Sequence, residues 1–203
     1  MSGSRTFVQK MQELRKDLQK RNHGFYVSGK YRKIRKGDDT VHMIPIQELY
    51  IGSLTLSPGY ATILYNLGKM SGEYTTKKSI SFLGVGAIIK SLMRIAGPYA
   101  VLKRESLTRN IINSWENMRY GHIRIKKVDA EKKEVVFVIE ESVFAAGMKN
   151  VGEKICFNQA GLLAGIMKGI SGKEFYAIER KCIANGDRHC EFVVREESTA
   201  GLK

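Results

Sequence analysis

Three cysteines near the end of the chain constrain its fold more than any other feature, because they are the only cysteines among 203 residues. With one glutamate they follow the spacing C-x22-E-x2-C-x7-C, formed by Cys156, Glu179, Cys182 and Cys190. Thiolates and carboxylates are zinc ligands, and four of them complete the tetrahedral shell of a structural site. The spacing therefore predicts that separate parts of the chain meet around a structural zinc ion.

The two last cysteines are predicted to lie on one β-hairpin. Residues 174–182 and 188–195 are short, aromatic or β-branched segments, and the Asn-Gly-Asp sequence at 185–187 between them is a strong turn signal. Antiparallel pairing around this turn places Cys182 opposite Cys190, with both side chains on one face of the hairpin.

Glu179 fits this hairpin only if the strand is irregular. It lies three residues before Cys182, so on a regular strand the two side chains would point to opposite faces. The proposed ligand set therefore requires a bulge or a local twist between these two residues.

Cys156 is predicted to lie in the first turn of a helix over residues 153–170, with Gly172 near its end. A helix N-terminus lowers a thiol pKa and so favours the thiolate that a metal requires. We expect the small residues of this helix to let its backbone pack close to the sheet; these are Ala160, Gly161, Ala164 and Gly165.

The stretch from Val135 to Arg195 carries a family resemblance, above all ICFNQAGLLAGIM and ERKCIANGDRHCEF. It resembles the 4-vinyl reductase domain, found in archaeal stand-alone proteins and in the sensory domains of bacterial regulators that detect phenols. The resemblance implies an α+β fold, similar to the ligand-binding fold of nitric-oxide-signalling and Golgi-transport proteins. It also implies a pocket for an apolar small molecule, and zinc binding by the two strand cysteines, Cys156 and Glu179.

Two simpler explanations of the cysteines remain open at this point. Cysteine is among the most frequently buried residues, so all three could be inert core side chains. Alternatively, Cys182 and Cys190 could form a disulfide, since paired strand positions approach disulfide distance.

The second informative feature is the net charge of +14, half of which lies in residues 1–40. Val8, Met11, Leu14 and Leu18 recur at helical spacing in this segment, which predicts an amphipathic helix within residues 5–21. A cluster of five cations follows and could contact a polyanion or simply be solvated; it comprises Lys30, Arg32, Lys33, Arg35 and Lys36.

Hydrophobic periodicity predicts one α+β domain over residues 41–203 after a basic extension over 1–40. We expect extended segments over 41–56, helices over 58–75, 81–96 and 104–119, and a hairpin of residues 120–128 with 134–142. The two hairpins together predict an antiparallel sheet of about four strands packed by helices, with the 4-vinyl reductase-like core at about 135–195.

The most direct functional interpretation is a zinc-braced sensor or binding module for a hydrophobic or aromatic molecule, without catalysis of its own. Five aromatic residues are candidates to line its pocket: Trp115, Tyr120, Phe137, Phe144 and Tyr176. One alternative is a vinyl reductase or accessory protein of tetrapyrrole metabolism, although no flavin or nicotinamide motif is visible. Another is a nucleic-acid-binding regulator that acts through the basic extension.

The apolar runs are short or interrupted by lysines, so none is expected to span a bilayer. We therefore expect a cytoplasmic protein. We also expect it to form a homodimer.

Overall fold

The computed structural model describes residues 5–21, 43–82, 97–99, 102, 109, 112–113, 115 and 120–197. Within these ranges the helices and strands follow one another as α1 (Phe7–Arg21), α2 (Met43–Leu56), α3 (Gly59–Phe82), β1 (His122–Asp129), β2 (Glu134–Glu140), α4 (Phe157–Ser171), β3 (Phe175–Lys181), a 3-10 helix (Ile183–Asn185) and β4 (Cys190–Glu196).

The four strands form one antiparallel sheet in the order β1-β2-β4-β3. Both predicted hairpins are present, and β2 and β4 pair at the centre of the sheet, for example through Phe137 and Phe192. The predicted α+β class, with a four-stranded antiparallel sheet packed by helices, is confirmed.

The sheet has two different faces because alternate residues of a strand point to opposite sides. Val135, Phe137 and Ile139 of β2 belong to the main hydrophobic core, as do Phe192 and Val194 of β4. We call this side, against which the helices pack, the inner face. The alternate residues of these strands lie on the outer face, where Val136, Val138 and Val193 are also buried.

Helix α2 replaces the extended segments expected over 41–56, and that prediction is wrong. Pro45 lies in the first turn of the helix, where the missing N–H has no intrahelical partner to lose. Gly52 is accommodated in the helix, where a Cβ atom would be 3.8 Å from the Arg15 guanidinium carbon. Neither residue therefore interrupts the helix, although both suggested an interruption in the sequence.

Helices α3 and α4 run parallel and touch backbone to backbone. A Cβ atom on Gly161 would lie 1.9 Å from the carbonyl oxygen of Tyr65, and one on Gly165 would lie 2.0 Å from that of Lys69. Gly68 and Gly72 of α3 meet the α4 backbone in the same way. The glycines of α4 thus serve contact with a helix, not with the sheet as predicted.

Helix α1 confirms the helix predicted within residues 5–21, and Met11, Leu14 and Leu18 are buried in the main core. It packs against α2. The expected boundary near residue 40 and the basic cluster at 30–36 lie outside the described residues, as does most of the expected helices at 81–96 and 104–119. The division into extension and domain therefore stays a prediction.

Candidate metal centre

The structure brings the three cysteines together at the inner edge of the sheet, beside the start of α4. The sulfur of Cys156 lies 3.6 Å from that of Cys190 and 3.9 Å from that of Cys182, and the latter two sulfurs are 4.0 Å apart. A tetrahedral zinc ion with Zn–S bonds of about 2.3 Å would hold its sulfurs about 3.8 Å apart. The three sulfurs are therefore already spaced as one face of such a tetrahedron.

Glu179 supplies the fourth donor. One ligand atom from each of the four residues lies within 4.8 Å of the others, and all four residues are buried. Its Oε2 accepts a hydrogen bond of 2.9 Å from the backbone N–H of Cys156. Its Oε1 is buried and finds no hydrogen-bond partner among the described residues. A buried carboxylate oxygen without a donor is unfavourable, and a bound cation would satisfy it.

A β-bulge explains how Glu179 and Cys182 share the inner face. The register of β3 against β4 shifts between Glu179, which pairs with Phe192, and Lys181, which pairs with Glu191. The additional residue turns the strand once more, so two side chains three positions apart emerge on one side. This is the irregularity that the sequence required.

The turn after β3 holds Cys182 in place. The Asp187 carboxylate accepts hydrogen bonds from the Cys182 backbone N–H, at 2.9 Å, and from the Asn185 amide, at 3.3 Å. Gly186 has φ +92°, a conformation that L side chains rarely adopt. The Asn-Gly-Asp sequence therefore forms the predicted turn and also anchors a candidate ligand.

Cys156 occupies the N-cap position of α4, as predicted for a residue at the start of that helix, and Gly172 ends the helix at φ +74°. The preceding residue is held from the opposite side, because the Tyr50 hydroxyl of α2 donates a 2.5 Å hydrogen bond to the Ile155 carbonyl oxygen. Helix α2 therefore helps to position the first candidate ligand.

Protonation in the cluster follows from its burial. Desolvation raises the pKa of Cys156 and the pKa of Glu179, because both charged forms are disfavoured away from water. Hydrogen bonds from Cys156 and Cys190 lower the pKa of Cys182 to about 3. Without a metal, the arrangement concentrates negative charge on Cys182 and leaves its neighbours protonated as donors.

All three cysteines are free thiols in this structure. The 4.0 Å between the sulfurs of Cys182 and Cys190 is about twice the S–S bond length of a disulfide, ~2.05 Å. The arrangement differs from inert packing as well, because three sulfurs and a carboxylate converge on one point.

A second layer of buried polar side chains surrounds the cluster, and the sequence did not reveal it. The Ser142 hydroxyl lies 3.4 Å from the Cys156 sulfur and 2.6 Å from the Gln159 side-chain oxygen, and the Gln159 amide donates to the Tyr120 carbonyl at 2.7 Å. Gln47 of α2 donates to two carbonyls of the loop over residues 143–146. The only signal available in advance was two glutamines within apolar segments.

The aromatic candidates divide between the two faces. Trp115, Tyr120 and Phe144 form a row with ring centroids 5.5 and 6.0 Å apart, and Tyr50 extends it at 4.3 Å from Phe144. Phe137 lies on the inner face and belongs to the same core.

Tyr176 does not join them. It lies on the outer face of β3, paired in register with Arg195. Because inner and outer residues are separated by the sheet itself, Tyr176 cannot line the same cavity as Phe137.

Comparison with known proteins agrees with the resemblance seen in the sequence: residues 135–196 match the model of the 4-vinyl reductase domain. The chain carries a 4-vinyl reductase domain. All four candidate ligands lie within it.

Three similar proteins extend the comparison. An uncharacterised protein of Methanocaldococcus jannaschii is 26% identical over 159 residues, which cover 77% of this chain and 78% of the relative. Subunit 3 of a trafficking protein particle complex from Naegleria fowleri, solved covalently bound to palmitic acid, is 14% identical with a TM-score of 0.53 and covers 77% of this chain and 93% of that chain. This likeness shows a shared fold.

The phenol-responsive sensory domain of the transcription activator PoxR, solved with phenol, is 16% identical with a TM-score of 0.48, covering 75% of this chain and 71% of that chain. Among the residues that the structure describes, no helix combines the length and apolar character needed to cross a membrane.

Proposed function

We propose that this 4-vinyl reductase domain protein is a zinc-braced module that binds a small hydrophobic or aromatic molecule and does not transform it. One observation carries the proposal: the loop over residues 142–147 takes part in both candidate sites. Ser142 at its start contacts the Cys156 sulfur, and Phe144, two residues later, stands between Tyr50 and Tyr120 in the aromatic row.

Zinc suits the donor set, because three thiolates and one carboxylate form a closed tetrahedral shell. Such a shell leaves no position for substrate or water, which favours a structural role over a catalytic one. The metal would tie the start of α4 to the end of β3 and the middle of the sheet, and so hold the loop that carries Phe144.

The aromatic row supports an apolar ligand. Trp115 is fully buried, yet its indole N–H finds no acceptor among the described residues. A buried donor normally has a partner, so a ligand with an apolar body and one acceptor atom would complete this environment. The palmitic acid held by the Naegleria fowleri subunit supports the view that the fold accommodates apolar molecules.

A thermal-shift screen tests the ligand class. A ligand that binds only the folded protein raises the melting temperature with its concentration, so phenols or fatty acids should do so. Phe144→Leu should reduce the shift, whereas Tyr176→Leu, on the outer face, should leave it unchanged. Equal loss in both variants, or enzyme-dependent turnover of a vinyl tetrapyrrole with reduced nicotinamide or flavin, would contradict the proposal.

The outer surface of α3 supports the expected homodimer. Ile63, Leu67, Met70 and Tyr74 are 50–68% exposed at helical spacing, and no charged residue occupies an exposed position from residue 59 to residue 74. An uncharged helix face of this length is suited to a second copy in a chain that otherwise repels itself by its charge. Leu67→Glu should convert the dimer to a monomer in light scattering, and a monomeric wild type would contradict this assignment.

A further inference from the structure

The outer face of the sheet carries a cleft that the metal centre and the aromatic row do not use. Its volume is about 310 Å³. It lies across all four strands and the β1–β2 turn, and is lined by Lys126, Lys127, Lys132, Glu134, Val136, Arg180, Glu191 and Arg195.

The cleft is strongly cationic. Five of its side chains are cationic and two are carboxylates, a formal excess of three positive charges. Arg180 and Arg195 approach from β3 and β4, whereas Lys132 comes from the turn after β1. Cations therefore surround the space from several elements of a rigid sheet.

The two carboxylates lie beneath the cations instead of facing solvent. The side chains of Glu134 and Glu191 are each 7% exposed, while those of Arg195, Lys126 and Arg180 are 41–50% exposed. Glu134 accepts hydrogen bonds from the Arg195 Nε and Nη2 atoms at 2.8 and 2.7 Å, and Glu191 accepts one from Lys126 at 2.7 Å. Each carboxylate thus fixes the position of a cation that remains accessible.

These ion pairs leave much of the donor capacity unused. Arg195 has five N–H donors, of which its contact with Glu134 uses two. Arg180 reaches Glu134 only at 4.0 Å, and Lys132 has no ion pair within the described part of the chain. Val136 and Val193 are buried beneath the cleft, as expected if the aliphatic stems of these cations cover them.

We propose that this cleft binds a small ligand that carries two or more phosphate groups. Fixed arginines and a lysine around a concave site provide the charge-assisted hydrogen bonds that phosphate oxygens accept. A concave volume of about 310 Å³ matches the lower end of small-molecule sites, and fits a compact polyanion better than a flat membrane surface. The site lies on the opposite face of the sheet from the zinc ligands, so it does not depend on the proposed metal.

Titration calorimetry on the full chain tests the site, with fructose 1,6-bisphosphate as the probe. The double variant Lys132→Gln/Arg180→Gln keeps the Arg195–Glu134 pair and should weaken binding at least about tenfold, because two charge-assisted contacts are lost. Its matched control, Arg124→Gln/Arg188→Gln, removes the same charge from exposed positions outside the cleft and should weaken binding less than about threefold. Unchanged melting temperatures in both variants would show that the fold is intact.

Three results would overturn the proposal. The first is no binding of the bisphosphate at millimolar concentration. The second is equal weakening in the two double variants, which would reveal a general effect of net charge. The third is binding only to single-stranded oligonucleotides or to vesicles of anionic lipid, which would assign this face to a nucleic acid or a membrane.

Discussion

Helix α4 is held in two different ways at its two ends. At its start, Cys156 joins a buried cluster of sulfur and carboxylate donors. Along its body, Gly161 and Gly165 let the backbone touch α3 directly. The first attachment depends on protons and metal in solution, whereas the second depends only on the absence of side-chain atoms. One helix therefore combines a conditional attachment with a permanent one.

The sharpest test of the conditional attachment is removal of the metal. Purified protein should contain about one zinc per chain, and Cys190→Ser should lose it. We expect the free energy of unfolding to fall by about 4 kcal/mol or more, because structural zinc binding is coupled to folding. Metal analysis and denaturant unfolding measure the two effects, and full zinc retention in the variant would remove the assignment.

The permanent attachment is tested by Gly165→Ala. The new Cβ atom would lie 2.0 Å from the Lys69 carbonyl oxygen, so the helices must separate. We expect a loss of about 3 kcal/mol in the free energy of unfolding, with zinc content unchanged in the folded protein.

Gly52→Ala is the matched control, because a Cβ at that helical position meets Arg15 at an ordinary 3.8 Å. It should raise stability by about 0.5–1 kcal/mol. Equal effects of the two substitutions would mean that α3 and α4 do not touch as described.

A smaller effect should distinguish the second layer of the metal centre. Ser142→Ala removes the hydroxyl 3.4 Å from the Cys156 sulfur and should weaken zinc affinity about tenfold. Ser171→Ala, at the other end of α4, removes a hydroxyl that bonds only the Met167 carbonyl and Lys173 N–H, so zinc affinity should not change. Competition with a chromogenic chelator measures both affinities.

The smallest effect concerns ion pairs that accompany the glycine contact. Hydrogen bonds from Lys77 and Lys168 lower the pKa of Glu73, so its charged form is favoured in the folded state. The resulting stabilisation is present above the unfolded pKa of about 4.3 and disappears as the pH falls through the lower folded pKa.

We therefore expect Glu73→Gln to cost less than about 1 kcal/mol at pH 7, since these groups are partly exposed, and nothing near pH 3. Glu131→Gln, in the exposed β1–β2 turn, should have no effect at either pH. A stability difference between Glu73→Gln and wild type that persists at pH 3 would exclude the ion-pair explanation. Denaturant unfolding at both pH values measures it.

The site was more predictable than its surroundings because its residues are rare and regularly placed. The Asn-Gly-Asp turn and the alternating strands specified the hairpin, and the awkward position of Glu179 predicted the bulge that the structure contains. The partners of α4 were less accessible. Small residues on a helix indicate close approach, but not whether a helix or a sheet approaches, and here α3 takes that place.

Two other differences have local causes. Pro45 and Gly52 suggested an interrupted segment, yet a proline in the first turn and a glycine with free space beside it both fit a helix. Tyr176 was grouped with Phe137 because both are strand aromatics. Only the register of β3 against β4 reveals that they face opposite sides of the sheet.

The bulge in β3 has a consequence for how this segment tolerates change. Four consecutive residues serve two sides of the sheet: Glu179 and Cys182 face the cysteine cluster, while Arg180 lines the cationic cleft. Deleting one residue here would restore a regular strand and shift the alternation by one place, so a donor on one side and a cation on the other would be displaced together. Insertions and deletions between 179 and 182 should therefore be excluded in any functional variant, even where single substitutions are accepted.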